Sequence, residues 1–303
     1  ITVDTTADAA DKVACQDNIP ADCSLRGAIQ RANQNSGDQF TIHVPTGVYT
    51  LTAAGAEEDD NLTGDLDIKT TSALVIRGDE NGDTVVQGDL TLESDGDRIF
   101  DIEAGAKVTI QKLIIRHGYG DSGGGLTNRG ALTLIDTLVT KNSASEAAGL
   151  YNEVDATMTI SRSIISDNIA TDDAGALSNE GELSIMNSTL FSNTAATSGG
   201  ITNTGELTII NSAIVANRAD DYGGGITNNG VLAITNSTIS GNQATGDDPD
   251  ASGGGAVDQF DDAATLTINY STIANNTAIQ TQRSGLWIEA GEVSLRNTII
   301  ANN

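Results

Sequence analysis

The sequence predicts an all-β chain: one single-stranded right-handed parallel β-helix of about ten coils, capped at its N-terminal end by a short α-helix. Three observations carry this. From Gly123 to Asn303 one sentence is written about seven times, as in GGGLTNRGALTLIDTLVTKN and SGGITNTGELTIINSAIVAN. Each copy closes on an asparagine (Asn142, Asn168, Asn193, Asn217, Asn242, Asn276, Asn303), at spacings of 26, 25, 24, 25, 34 and 27 residues. Within each copy apolar residues alternate with small hydroxylated ones. Leu132, Thr133 and Leu134 recur as Met158, Thr159 and Ile160, and again as Leu207, Thr208 and Ile209. Period two means strand, with the apolar row inward. A unit this short cannot bury its own apolar face, so copies must stack into a solenoid. Parallel crossovers wind right-handed.

A third apolar row, Val139, Ile165, Leu190, Ile214, Ile239, Ile273 and Ile300, marks a second short strand, so two or three strands per coil are expected. The closing Asn row, and a second row at Asn128, Asn152, Asn179, Asn203 and Asn228, reads as structural. Stacked amides hydrogen-bond along the axis, and Asn tolerates the left-handed backbone of a corner. Abundant Gly is read the same way.

Residues 1–37 do not repeat and form the expected N-terminal cap. Cys15 and Cys23 flank a polar loop; in an oxidising compartment they pair, and free thiols are the alternative. Leu25, Ala28, Ile29 and Ala32 follow helical spacing, which predicts a helix over 24–33 with Asp22 or Ser24 as N-cap. Its task is to cover the open end of the solenoid. Residues 38–120 are irregular coils and 121–303 the regular repeats, together one β-helix domain over 38–303. The chain begins at Ile1 without Met, as a trimmed product would, and stops at Asn303 straight after a strand. This leads us to expect further repeats there, or end-to-end self-association.

The CSLRGAIQRAN segment (23–33) resembles the CSLREA-type motif near the start of many bacterial surface proteins with right-handed parallel β-helix repeats. TIHVPTGVYTLT, TGDLDI and RIFDIEAGAKVTIQKLIIRHG are similar to the same pattern, so the resemblance spans nearly the whole chain. GGGLTN and FSN also resemble the GGxxN and FxxN repeats of chlamydial polymorphic outer membrane proteins, although most copies here lack the Phe. The resemblance implies the fold and a secreted or cell-surface location. It implies no reaction.

A net charge of −27 argues against nucleic acid and anionic membrane as partners, since both repel an acidic surface. No apolar run reaches the length of a membrane span. Calcium is the one cofactor the composition points to. Its candidate ligands are Glu57, Glu58, Asp59, Asp60 and Asp65 in an acidic loop, and a ridge of corner acids, Asp172, Asp173, Asp220 and Asp221, with Asp121 and Glu146 in line. Solvated charge is the alternative.

Between Asn242 and Asp258 one corner is longer than its neighbours and carries Asp247, Asp248 and Asp250; Arg283 and Trp287, the single tryptophan, fall at the matching place one coil on. An aromatic ring beside carboxylates makes a sugar-binding surface, so Asp247, Asp248, Asp250, Asp258, Arg283 and Trp287 are the ligand-binding candidates; Trp287 packing under the loop is the alternative. The best catalytic grouping is Arg116, His117 and Asp121, near Tyr119. The main functional expectation is a secreted or surface adhesion module that binds glycans or calcium. The alternative is a polysaccharide lyase or glycoside hydrolase of the parallel β-helix type, by fold analogy. Ice binding through Thr133, Thr159, Thr208 and Thr267 ranks last because Ala233 interrupts the row.

Overall fold

The structure, a computed structural model, describes all residues except 17–18, 36, 56–57, 92–95, 247–252 and 280–282. It is a right-handed parallel β-helix. Strands sort into four sheets, two of ten strands, one of nine and one of seven. A regular coil runs through Ala131–Ile135, Leu138–Thr140, Ser143–Glu146 and Leu150–Asn152, and Thr157–Ser161 opens the next. The register is the one the periodicity demands. Leu132 stands on Met158, Leu134 on Ile160 and Val139 on Ile165, all buried. The irregular coils continue the stack, with Ile42 on Ile76 and Ile76 on Ile110.

The seven-stranded sheet is an element that sequence reading misses. Its inward residue is only alanine: Ala144, Ala170, Ala195, Ala219 and Ala244 are buried there. A methyl group gives almost no hydropathy contrast, so the period of two is invisible along these strands.

Both asparagine rows point inward and, apart from the terminal Asn303, are fully buried. Asn142, Asn168, Asn193, Asn217, Asn242, Asn276 and Asn303 pass amide-to-carbonyl hydrogen bonds of 2.8–3.0 Å from coil to coil. The second row does the same from Asn128 to Asn228 and ends on Gln259. A third ladder, unforeseen, runs from Thr137 through Ser163, Ser188, Ser212, Ser237 and Ser271, each serine hydroxyl accepting from the backbone N–H of the preceding member one coil away at 3.1 Å. Buried backbone groups at these corners are thereby satisfied.

The corner expectation needs correction. The left-handed positions fall on Asp136, Arg162, Asn187, Asn211 and Asn236 at one corner, and on Lys141, Asp167 and Ser192 just before the buried Asn at another. Among the repeat glycines Gly123, Gly241 and Gly291 also take positive φ, but the others do not. They are required by close approach: a Cβ on Gly125 would come 2.4 Å from the carbonyl oxygen of Gly149, and one on Gly149 would come 2.3 Å from that of Ala176.

The helix spans Leu25–Gln34; Ser24 Oγ accepts from Gly27 N at 2.9 Å as N-cap, and Cys15 and Cys23 are disulfide-bonded. Leu25, Ala28, Ile29 and Ala32 are buried against the first coil. Arg26, fully buried, locks the cap. It bonds Asp8 at 2.6 Å and donates to the carbonyls of Thr63, Gly64 and Asp65. At the far end, Val293, Leu295, Ile299 and Ile300 expose 39–61 % of their surface. No helix among the described residues is long and apolar enough to cross a membrane.

Candidate functional site

Strands of the nine-stranded sheet are three residues long, so the middle residue of each faces out. Parallel register stacks these residues in one column: Asp67, Asp101, Thr127, Tyr151, Ser178, Thr202, Thr227, Asp258 and Trp287. Acids and the tryptophan therefore occupy the two ends, and mostly hydroxyls lie between.

At the N-terminal end, carboxylate oxygens of Asp65, Asp67 and Asp101 lie within 4.8 Å of one another, and Asp59, Asp67 and Glu103 form a second such group. Asp65, Asp67 and Asp101 are at most 5 % exposed. Arg98 holds Asp101 at 2.9 Å and Asp65 at 3.4 Å, while Arg129 bridges Asp101 at 2.6 Å to Glu153 at 2.9 Å. Asn61 N donates to Asp67 Oδ2 at 2.9 Å. Burial, and then the charges of Asp97, Asp67 and Asp101, push Asp65 up to about 9. Burial pushes Asp67 up to about 7 against the Asn61 hydrogen bond, and raises Asp97 as well. Such a set of hard oxygens could hold a divalent cation.

The acidic-loop residues are distributed differently. Asp65 and Asp59 each join a group, Asp60 instead pairs with Lys69 at 3.1 Å, and Glu57 lies outside the described residues. Asp67 and Asp101 are missed from sequence, although a signal exists: LDI and FDI place an Asp where later coils carry Thr, Tyr or Ser between two inward residues. Among the described residues the corner ridge does not converge. Asp173 accepts from Thr202 Oγ1 at 2.8 Å, Asp220 pairs with Arg218 at 3.0 Å, and neither Asp172 nor Asp221 joins a group of three. Local donors take up Asp173 and Asp220 separately.

At the C-terminal end Asp258, Arg283 and Trp287 do come together. Trp287 sits on the strand Leu286–Ile288 rather than at a corner, next to Asp258 in register, with the Arg283 guanidinium 3.5 Å over its ring centroid. Asp258 is fully buried, and neither carboxylate oxygen has a hydrogen-bond partner of good geometry among the described residues. Burial holds its carboxyl well above the usual range, opposed by the Gly254 backbone and Arg283. Gly254 has no room for a side chain, since a Cβ would lie 2.0 Å from Asp258 Oδ1. Asp247, Asp248 and Asp250 lie outside the described residues.

Against this end lies a cavity of about 340 Å³, lined by Thr202 and Thr227 of the column, by Tyr222 and Phe260, and by Asp173, Asn229 and Glu289. Tyr222 and Phe260 meet edge to face, with centroids 5.4 Å apart. Asn229 Oδ1 and Trp287 Nε1 are buried and, among the described residues, have no partner.

The catalytic candidates Arg116, His117 and Asp121 are not brought together; no hydrogen bond or ion pair joins them among the described residues. Arg116 Nε donates to Gln87 Oε1 at 2.8 Å, and Asp121 is exposed. His117 takes a left-handed corner position and lines a separate cavity of about 170 Å³ with Asp97, Tyr119 and Lys141. Burial and then the charges of Arg116 and Lys141 hold its imidazole below the usual range.

No family model matches the chain, and no curated relative matches it by sequence. Among solved structures it is similar to pectate lyase Pel9A, at 14 % identity and a TM-score of 0.51, over 88 % of this chain and 74 % of that one. It is also similar to a pectin methylesterase from Aspergillus niger, at 10 % identity and a TM-score of 0.47, over 86 % and 77 %. At these identities the likeness is one of fold. Parallel β-helix is the fold they share, and the CSLREA resemblance finds no match among family models.

Proposed function

We propose that this chain is an extracellular carbohydrate-active β-helix protein that binds a polysaccharide along the outer face of its nine-stranded sheet. The observation that carries the reading is the C-terminal end of that face: Asn229 Oδ1 and Trp287 Nε1 are buried polar atoms that have no partner among the described residues, and Asp258 has none of good geometry there, beside an aromatic-lined cavity. Unmade hydrogen bonds of this kind cost about 1–3 kcal/mol each, and a ligand rich in hydroxyls can make them. Donors and acceptors alternate here, which suits sugar hydroxyls, and Tyr222 and Phe260 offer ring surface for the sugar's apolar faces. The rungs of the sheet repeat every ~4.8 Å, close to the length of one sugar unit, so a chain laid along the column meets a fresh rung at each residue. The disulfide fits an oxidising compartment.

Affinity electrophoresis through gels containing soluble polysaccharides tests this. At least one should retard the protein, Trp287→Ala and Tyr222→Ala should each abolish the retardation, and His117→Ala should leave it intact. Mobility unchanged across neutral, acidic and basic polysaccharides would refute the reading.

A second reading, hydrolysis, rests on the N-terminal end. Asp65, held at about 9, keeps its proton at neutral pH and Asp67, at about 7, is about half protonated there, near the guanidinium groups of Arg98 and Arg129. A carboxylic acid kept protonated at neutral pH is what general acid catalysis of glycoside cleavage requires. Release of reducing ends by the native protein, lost in Asp67→Asn, would support it; glycan retardation without any cleavage would leave the binding reading alone.

A further inference from the structure

The charge around the cavity narrows the class of sugar. Two carboxylates, Asp173 and Glu289, line it, and no lysine or arginine does. The stretches 247–252 and 280–282, outside the described residues, hold no Lys or Arg in sequence. The cation at this end of the column, Arg283, is stacked on Trp287. Arg218, the next nearest in the repeats, is bound to Asp220 at 3.0 Å. Further along the same face Glu180 accepts from the Tyr151 hydroxyl at 2.9 Å, and Glu153 is taken by Arg129. A polymer of uronic acids laid in this cavity would place its carboxylates against the fixed negative charge of Asp173 and Glu289, with no guanidinium or ammonium among the described lining residues to receive them.

Resting on the glycan-binding reading above, we propose that the site selects a cationic amino sugar, a β-linked glucosamine polymer or its like, over neutral and uronic acid polymers. Asp173 and Glu289 receive the ammonium groups, Tyr222 and Phe260 the apolar ring faces, and Asn229 the hydroxyls. Asp173 is set for this by its neighbours. Its Oδ1 is anchored by Thr202 Oγ1 and Ala174 N, both at 2.8 Å, which fixes the carboxylate on the cavity wall. An acceptor held in place by two donors loses little entropy when a third arrives.

Isothermal titration with three short oligosaccharides of equal length, of glucosamine, N-acetylglucosamine and galacturonic acid, tests the proposal on the whole chain at mildly acidic pH. The glucosamine oligomer should bind at least about tenfold tighter than the N-acetylated one, and the galacturonate oligomer weakest. The double variant Asp173→Asn, Glu289→Gln should bring the first two to the same affinity while leaving the N-acetylated one unchanged. Because the protein is acidic overall, a control variant, Asp155→Asn with Asp167→Asn, removes two exposed charges on other corners; both positions have left-handed backbone that Asn accepts. If the control weakens the glucosamine oligomer as much as the site variant does, binding is diffuse charge attraction and the proposal falls. Equal or tighter binding of the neutral or the galacturonate oligomer overturns the charge selection while the glycan reading stands. If none of the three binds, both fall.

Discussion

At one end of the nine-stranded sheet's outer face, Asp67 and Asp101 stand on adjacent rungs with Arg98 and Arg129 bonded among them. At the other, Asp258 stands between Thr227 and Trp287 with neither oxygen in a good hydrogen bond among the described residues. The same side chain in the same column is therefore used in two ways. Near the cap, carboxylates are neutralised within the chain, and Asn61 from the acidic loop closes over them. Near the long corner the polar atoms stay unmatched and a cavity opens beside them. A solenoid makes this contrast easy to build, because each rung contributes one residue to the face and the interior ladders hold the coil whatever that residue is.

The largest effect should come from breaking the closed end. Arg98→Ala leaves Asp101 and Asp65 short of a partner, and removing one member of a buried ion pair costs about 3–5 kcal/mol. Arg283→Ala at the open end should cost under about 1 kcal/mol, as a single stacked contact does. Urea unfolding of both variants compares them; equal losses would erase the distinction.

The protonation of the closed end gives the next effect. Asp65 and Asp67 hold protons more tightly folded than unfolded. Their contribution to stability is therefore complete below about 3.8 and is lost as pH rises, first through about 7 and then through about 9. In chelator-containing buffer the melting temperature should fall across that window, and Asp65→Asn should flatten the fall. A profile unchanged by the substitution would contradict the account.

Calcium should give a smaller shift. Millimolar calcium is expected to raise the melting temperature by a few degrees through Asp65, Asp67 and Asp101, since a ligand of the folded state alone stabilises it by mass action. Asp67→Asn should remove the rise, and Asp172→Asn should keep it. A ligand-independent loss is expected at the interior. Ser212→Ala removes the hydroxyl that accepts from Ser188 N and should cost about 1–2 kcal/mol, read by the same melts without change in any ligand affinity.

Much of the fold is legible in the sequence because Leu, Ile, Thr and Asn recur at fixed offsets. Leu207 and Ile209, and the amides of Asn193 and Asn217, lie where the spacing places them. The alanine-lined sheet is not legible, since Ala219 contrasts too little with its neighbours. The glycine pairs are legible as a requirement but not in kind: what excludes a side chain from Gly125 is the backbone of the next coil, a tertiary fact. Trp287 with Asp258 and Arg283 was within reach, because one long corner drew attention to that coil. Asp67 and Asp101 are harder to read, since the LDI and FDI signal becomes a pair only through the register that stacks one on the other.

Trp287, as the single tryptophan, reports on the open end by itself. Titrating the protein with the glycan that retards it, and following tryptophan emission, measures occupancy of the face directly. The account predicts a saturable change in emission with a midpoint equal to the calorimetric Kd, weakened by Tyr222→Ala and untouched by Asp67→Asn. Binding by calorimetry with no change in Trp287 emission, or with a change abolished by Asp67→Asn alone, would place the ligand elsewhere and contradict the central claim.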